Sequence, residues 1–286
     1  MEGVLAKFRN MTPMVLAVMA FASPAIAAEL ETERMTWTEI RDAVAAGKTT
    51  VIIPTGGTEQ NGPHMITGKH NIIVAETARR IAAKLGDALV APVLAYVPEG
   101  DIAKREGHMA YPGTISLPPE TFGAVLWSAA ESFKAHGFKT IVFLGEHGAS
   151  IAPQAIVAKR LGEAWSAEGV RVINAANYYS ANGGPEWLKA QGHSPAAIGA
   201  HATIQDTSEL LALYPAGVRM DKRAADKDGV QGDPLKATSD IGQKMLDLKV
   251  EAAVKDIEAA RKAPVAAGGP PDNRGLFARF WHWVFG

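Results

Sequence analysis

Residues 51–70 constrain the fold more than any other part of the chain. They begin with a short run of β-branched residues, which ends at Pro54 and continues as a glycine-rich loop. Such a run is typical of a strand buried inside a parallel sheet. The loop is therefore predicted to lie at the carboxyl end of a strand, where open α/β sheets place their functional sites.

This loop is rich in side chains that bind metal ions. Its oxygen and imidazole donors are Glu59, Asn61, His64 and His70. A plain connecting loop has no structural need for so many of these groups, which are the ligands that divalent metals use in proteins. The loop therefore predicts a metal site.

The rest of the chain alternates between predicted strands and predicted helices. Apolar runs predict strands at residues 49–53, 88–96, 140–144 and 170–174. Capped or amphipathic segments predict helices at residues 36–46, 71–85, 118–136, 152–168 and 239–261, and a further apolar helix ends at Leu213. This alternation indicates an α/β fold whose mostly parallel central sheet is covered on both faces.

Residues 1–28 are predicted to form a secretory signal peptide. Lys7 and Arg9 precede an apolar run, and small residues then mark a cleavage position after Ala27 or Ala28. The run is short for a membrane span, although an uncleaved anchor is the alternative. We therefore expect an exported protein, in a bacterial periplasm, with a single domain at residues 29–262.

Charge and the absence of cysteine exclude several classes of function. The formal net charge is −1 and the basic residues are dispersed, which argues against a nucleic acid or an anionic membrane surface as the partner. The chain contains no cysteine. It therefore has neither a disulfide framework nor a thiolate that could act as ligand or nucleophile.

The C-terminal segment 263–286 is predicted to be a Pro/Gly linker followed by an aromatic tail. The tail is too short to cross a bilayer as a helix. It either packs on the protein or on a neighbouring subunit, or it rests at a membrane interface, where Trp and Arg are favoured.

Several motifs in the chain resemble those of the creatininase family, the metal-dependent creatinine amidohydrolases and their relatives. They occur in the family's order at residues 57–64, 68–70, 112–116, 145–150, 201–208 and 232–234. His108 precedes the third of them. Each motif is weakly specific, but together they cover most of the chain. The sequence is thus identified as a divergent member of this family.

The resemblance implies a three-layer α/β/α fold, commonly assembled as a homohexamer, that hydrolyses non-peptide C–N bonds in cyclic or linear amides. It also implies two divalent metals bridged by an aspartate. Glu59 and His147 match family ligands, but Asn61 replaces a histidine and His70 replaces the bridging aspartate. One imidazole nitrogen cannot bridge two cations as a carboxylate does. We therefore expect one ion per chain.

The predicted metal ligands are Glu59, His70 and His147. Two imidazoles and one carboxylate suit Zn²⁺, with Fe²⁺ or Mn²⁺ as alternatives, and leave positions open for water and substrate. A hydrogen-bonded polar cluster without metal is the competing interpretation.

The resemblance also suggests catalytic and pocket residues. His201 matches a family histidine thought to transfer protons, and Asp206 matches an acidic position that orients or ligates, although either could merely cap the following helix. Glu146 could be a compensating ligand or a general base, or it could support a ligand from behind or lie at the surface. The predicted substrate pocket contains Asn61, His64 and His108, and the two histidines could instead make structural hydrogen bonds.

These predictions lead to an exported metal-dependent amidohydrolase that attacks a small-molecule amide through a metal-activated water. A small-molecule-binding protein on the same fold is the main alternative. A redox Fe²⁺ centre is a third, which no other feature of the sequence supports. Metal analysis combined with an amide hydrolysis screen would separate the three.

Overall fold

The computed structural model describes residues 29–264. The predicted signal peptide and the aromatic tail lie outside the described residues. Within residues 29–264, none of the helices is both long enough and apolar enough to span a lipid bilayer.

The centre of the molecule is a parallel sheet of four strands in the order β2-β1-β3-β4. The strands are β1 (Thr50–Thr55), β2 (Ala88–Val90), β3 (Thr140–Gly145) and β4 (Arg171–Asn174). In the register of the ladder, Thr55 pairs with Gly145. The loops that follow β1 and β3 therefore leave the sheet side by side at one edge.

Helices cover both faces of this sheet. The helices of at least nine residues are α1 (Trp37–Ala45), α2 (Lys69–Leu85), α3 (Pro119–Ala135), α4 (Gly148–Trp165), α8 (Ile204–Leu213) and α9 (Ser239–Lys262). Leu126 of α3 and Leu161 of α4 share one apolar cluster with the sheet. Ile81 of α2 and Ile257 of α9 belong to the cluster on the other face. The predicted three-layer α/β/α fold is confirmed.

Short helical segments fill the loops. They are α5 (Asn177–Ser180), α6 (Gly184–Ala190), α7 (Pro195–Ile198) and the 3-10 turns Thr32–Arg34, Gly107–Ala110, Ser166–Glu168, Pro215–Gly217 and Met220–Lys222. The sequence analysis predicts no helix between β4 and α8, so α5, α6 and α7 are additions that the structure reveals.

Two boundaries differ from the prediction by four residues or more. The second strand ends at Val90 rather than at residue 96, because Pro92 has no N–H to donate to a ladder, and Leu94 makes only an isolated bridge to Thr55. Helix α4 begins at Gly148 rather than at residue 152, with Pro153 inside it. Proline favours the first helical turn, and the predicted start of α4 was therefore set too close to Pro153.

Candidate metal centre

Four buried or half-buried side chains converge where the sheet's carboxyl edge meets the loop before α3. Glu59, Glu99, His108 and His147 each offer one ligand atom, and these atoms all lie within 4.8 Å of one another. Glu59 follows β1 and His147 follows β3, while the other two lie in the loop between β2 and α3. Among residues 29–264 this is the only group of three or more His, Asp or Glu side chains with such spacing.

The contacts within the group are short and centre on one carboxylate oxygen. Glu59 Oε2 lies 3.0 Å from His108 Nε2 and 3.2 Å from His147 Nε2. His147 Nε2 is also 3.0 Å from Glu99 Oε2. The side chain of His108 is 23% exposed, whereas both carboxylates are fully buried. His108 therefore marks the side of the group that faces solvent.

A glycine makes room for this arrangement. Gly57 has φ +150, and an added Cβ there would clash with Glu99 Oε1. Because any larger residue would push that carboxylate away, the glycine-rich loop is part of the site's construction.

Unpaired polar atoms indicate that the group is built for a cation. Glu59 Oε2, both carboxylate oxygens of Glu99 and His147 Nδ1 are buried without a hydrogen-bond partner. Burying carboxylate oxygens without partners is costly. A divalent ion would satisfy them, and two carboxylates with two imidazoles form a donor set that suits Zn²⁺, Mn²⁺ or Fe²⁺.

The two carboxylates have opposite protonation tendencies. Burial and the neighbouring Glu59 carboxylate raise the pKa of Glu99 to about 10. Burial also opposes ionisation of Glu59, but the close imidazoles of His147 and His70 outweigh it and hold the pKa of Glu59 well below its usual range. Two adjacent carboxylates cannot both ionise unless a cation lies between them. The residues present thus fit a divalent metal.

Both imidazoles of the group favour the neutral form that binds metal. Burial lowers the pKa of His147 and of His108 from the ordinary histidine value. A neutral ring keeps a nitrogen lone pair available for coordination.

His70, which the sequence predicts to be a ligand, lies beside the group but outside it. Its Nε2 is 2.6 Å from Glu59 Oε1, the oxygen that does not face the two ligand histidines. Its Nδ1 is 3.9 Å from Glu146 Oε1. His70 thus contacts the candidate ligand Glu59 on the side that faces away from His108 and His147.

Glu146 also lies behind the site, although it is adjacent to His147 in sequence. Its carboxylate accepts hydrogen bonds from the Lys249 ammonium and the Tyr178 hydroxyl. Both of its oxygens therefore have partners, unlike those of Glu99.

His201 reaches the site from the loop before α8. Its Nδ1 is 3.8 Å from Glu59 Oε1, and its ring centroid is 4.4 Å from that of His108. Its Nε2 lies 3.0 Å from the Gln60 carbonyl oxygen. Burial lowers the pKa of His201 to about 4, so the imidazole is neutral at neutral pH.

Asp206 caps α8 and holds an ion pair. One of its oxygens accepts from Lys69 Nζ at 2.7 Å, and the other accepts from the Thr203 N–H at 3.2 Å. Burial opposes ionisation of Asp206, but Lys69 outweighs it and holds the pKa of this carboxyl below its usual range.

The predicted pocket residues have different surroundings. Asn61 donates to the Glu59 carbonyl at 3.0 Å and borders a cavity of about 240 Å³. His64 is fully buried and its Nε2 lies 2.9 Å from Thr207 Oγ1. His108 connects to the cavity through Gln60, whose Nε2 is 3.0 Å from His108 Nδ1 and which lines the wall.

Glu99 is the residue that sequence reasoning missed. It belongs to none of the family motifs and lies in a long loop of glycine, proline and charged residues. One signal was available: β2 neighbours β1 in the sheet, so a carboxylate soon after β2 emerges near the Glu59 loop.

Comparisons with known proteins place this chain in a family. The family model described as Creatinine amidohydrolase matches residues 33–257. The chain belongs to the creatininase family. The resemblance inferred from the sequence motifs is therefore confirmed.

Its curated relatives have diverse activities. A 3-dehydro-scyllo-inosose hydrolase of Thermotoga maritima is 30% identical over 58% of this chain and 50% of its own length. The creatinine amidohydrolase of Pseudomonas putida is 31% identical over 40% of this chain and 43% of its own length. A mycofactocin precursor peptide peptidase of Mycobacterium tuberculosis is 26% identical over 72% of this chain and 84% of its own length. The chain thus covers no more than half of the first two relatives.

Solved creatininase structures have the same fold. A creatininase described with manganese matches 82% of this chain and 100% of its own at a TM-score of 0.69 and 21% identity. A mutant creatininase of Zn-Zn type matches 83% of this chain and 100% of its own at a TM-score of 0.66 and 21% identity.

Proposed function

We propose that this protein is a metal-dependent amidohydrolase that cleaves a non-peptide C–N bond in a small molecule. The observation that carries the proposal is the convergence of Glu59, Glu99, His108 and His147. Their unpaired buried oxygens suit a divalent cation. A hydrolase is also the activity that the names of the three curated relatives share.

Each member of the group would contribute one donor atom to the ion. A divalent metal bound there supplies Lewis acidity toward a carbonyl oxygen and a water molecule. His108, the most exposed ligand, lies on the side from which a substrate can approach. The buried carboxylates exclude bulk water from the opposite side.

His201 is placed to move the proton that hydrolysis requires. In the tautomer whose Nε2–H donates to the Gln60 carbonyl oxygen, Nδ1 is the proton acceptor. In the reaction a water O–H bond breaks as its oxygen bonds the amide carbon, and His201 takes the proton. The C–N bond then breaks, and His201 returns that proton to the leaving nitrogen.

We propose one ion per chain, with Zn²⁺ as the best fit and Mn²⁺ or Fe²⁺ as alternatives. Asn61 uses its amide N–H group on the Glu59 and Ile66 carbonyls, and His70 is engaged by Glu59. Neither belongs to the group of four side chains whose ligand atoms converge. Elemental analysis of the purified protein should give about one ion per chain, and two would refute the proposal.

Peptide cleavage is a second candidate. Among the relatives described above, the precursor peptide peptidase aligns over the largest share of this chain and of its own length. A peptide substrate would use the same metal group, so the screen below includes both bond types.

A hydrolysis screen tests the function. The metal-loaded protein is incubated with cyclic amides, linear amides, formamides and short peptides, and products are detected by mass spectrometry. Turnover of an amide that His201→Ala reduces by about 10²-fold or more supports the proposal. Cleavage of peptides alone would favour the second candidate, and tight binding of a small molecule without turnover would refute both.

A further inference from the structure

Lys249 is a buried cation that the proposed reaction does not use. It lies midway along α9 with its side chain 3% exposed. Its ammonium donates to Glu146 Oε1 and, at 2.7 Å, to Glu209 Oε2. The two carboxylates outweigh the effect of burial and hold the pKa of Lys249 above its usual range. Burying such an ion pair is weak evidence for a purely stabilising role.

Lys249 fixes one side of the Glu146 carboxylate, and Tyr178 fixes the other. The Tyr178 hydroxyl contacts Glu146 Oε2 and also lies 2.7 Å from Thr77 Oγ1. Glu146 is thus held from α9 and from α5, and Thr77 of α2 fixes the Tyr178 hydroxyl in turn. A carboxylate restrained in this way presents a fixed acceptor to whatever lies in front of it.

The group in front of Glu146 is His70, which connects it to the metal group. The His70 ring lies between Glu146 Oε1, 3.9 Å from Nδ1, and Glu59 Oε1, 2.6 Å from Nε2. Glu59 then offers its other oxygen to the ligand histidines. Lys249 is therefore linked to a candidate metal ligand by short contacts at both ends and by an electrostatic approach of 3.9 Å between Glu146 and His70.

We propose that Lys249 is a positioning residue for the metal ligand Glu59, acting through Glu146 and His70. The inference rests on the proposed function only in that the group binds a divalent ion. Outer partners of metal ligands fix ligand orientation and affinity. Without the ammonium, Glu146 is repelled by Glu209 and no longer orients His70, so Glu59 loses its fixed position.

Metal affinity tests the proposal independently of turnover. The Kd for Zn²⁺ is measured by competition with a chromophoric chelator for wild type, Lys249→Met and Lys249→Arg. We expect Lys249→Met to weaken binding by about 10–100-fold, the usual effect of removing an outer partner. Lys249→Arg keeps the positive charge and should stay closer to the wild-type Kd.

Arg261→Met is the matched control on the same helix. Arg261 also anchors α9 with an ion pair, 2.9 Å from Asp87 Oδ1, and it contacts Thr50 at the opposite end of β1 from the site. Its loss should lower stability without changing the Kd. An equal weakening by Arg261→Met would overturn the proposal, because the effect would then be merely structural.

A second variant covers the case in which Lys249→Met does not fold. Tyr178→Phe removes one hydrogen bond to Glu146 and no charge, and we expect a Zn²⁺ Kd several-fold above wild type. A wild-type Kd in folded Lys249→Met, or in Tyr178→Phe if the former does not fold, would overturn the proposal, as would absence of tight Zn²⁺ binding in wild type. Tight binding without any amide turnover would instead refute the proposed reaction and leave this inference standing.

Discussion

At the scale of single residues, Glu99 separates a metal site from an ordinary polar cluster. It brings a second buried carboxylate whose oxygens have no other partner. We expect Glu99→Gln to weaken Zn²⁺ binding by more than the roughly 10–100-fold that loss of an outer partner costs, since a ligand itself is lost. Chelator competition measures this change.

The matched control is Glu106→Gln, which removes a carboxylate from the same loop at an exposed position. Its Zn²⁺ affinity should equal that of wild type. A Zn²⁺ affinity of Glu99→Gln equal to that of wild type would show that Glu99 is not a ligand.

His64 is expected to make stability depend on pH. Burial lowers its pKa from 6.5 to about 4. As pH falls below 6.5, His64 becomes protonated in the unfolded chain but stays neutral in the folded protein. Its contribution to stability is therefore present above pH 6.5 and is lost toward pH 4. Between about pH 7.5 and about pH 5, the free energy of unfolding of wild type should fall by about 2 kcal/mol more than that of His64→Asn. Urea unfolding at the two pH values measures the difference, and equal losses would contradict it.

At the scale of secondary structure, local caps set where helices begin. Thr36 and Glu39 form a capping box that starts α1, as the sequence predicts. Thr36→Ala should therefore lower the free energy of unfolding by about 1 kcal/mol. Denaturant titration measures this. The prediction fails if Thr36→Ala is as stable as wild type.

The elements also explain why the site lies where it does. All four strands are parallel, so their carboxyl ends meet at one edge and the loops after β1 and β3 lie together. Helix α9 then closes the sheet face behind the site and delivers Lys249 to Glu146. Sheet topology thus brings together residues that are far apart in the chain.

At the scale of the whole molecule, export is a separate prediction. Protein recovered from the periplasm should have the mass of a chain that begins at Ala28 or Glu29. Intact mass spectrometry decides this, and a mass that still includes residues 1–27 would contradict signal peptide cleavage.

Assembly is the other prediction at this scale. By its resemblance to the family, we expect an oligomer larger than a dimer, a hexamer being the family pattern. Light scattering at micromolar concentration measures the molar mass, and a monomer would contradict the prediction.

The sequence by itself determined the fold class, the family and most of the loops that form the site. It could do so because short apolar runs, caps and glycine-rich turns act locally, within a few residues. Glu59, His147 and His201 each lie within a short sequence motif, and their neighbours in that motif made them recognisable. Even there, the sequence placed His70 near Glu59 without showing which carboxylate oxygen it contacts.

Only the tertiary structure decided which side chains lie beside Glu59 and which lie behind the site at Glu146. Glu99 arrives from the loop after β2, and Lys249 arrives from a helix near the end of the described chain. Neither position has a local signature, because a carboxylate in a polar loop and a lysine in a helix usually face solvent. Their burial, and hence their chemistry, follows from the packing of α9 and the parallel order of the strands, which bring distant segments into contact.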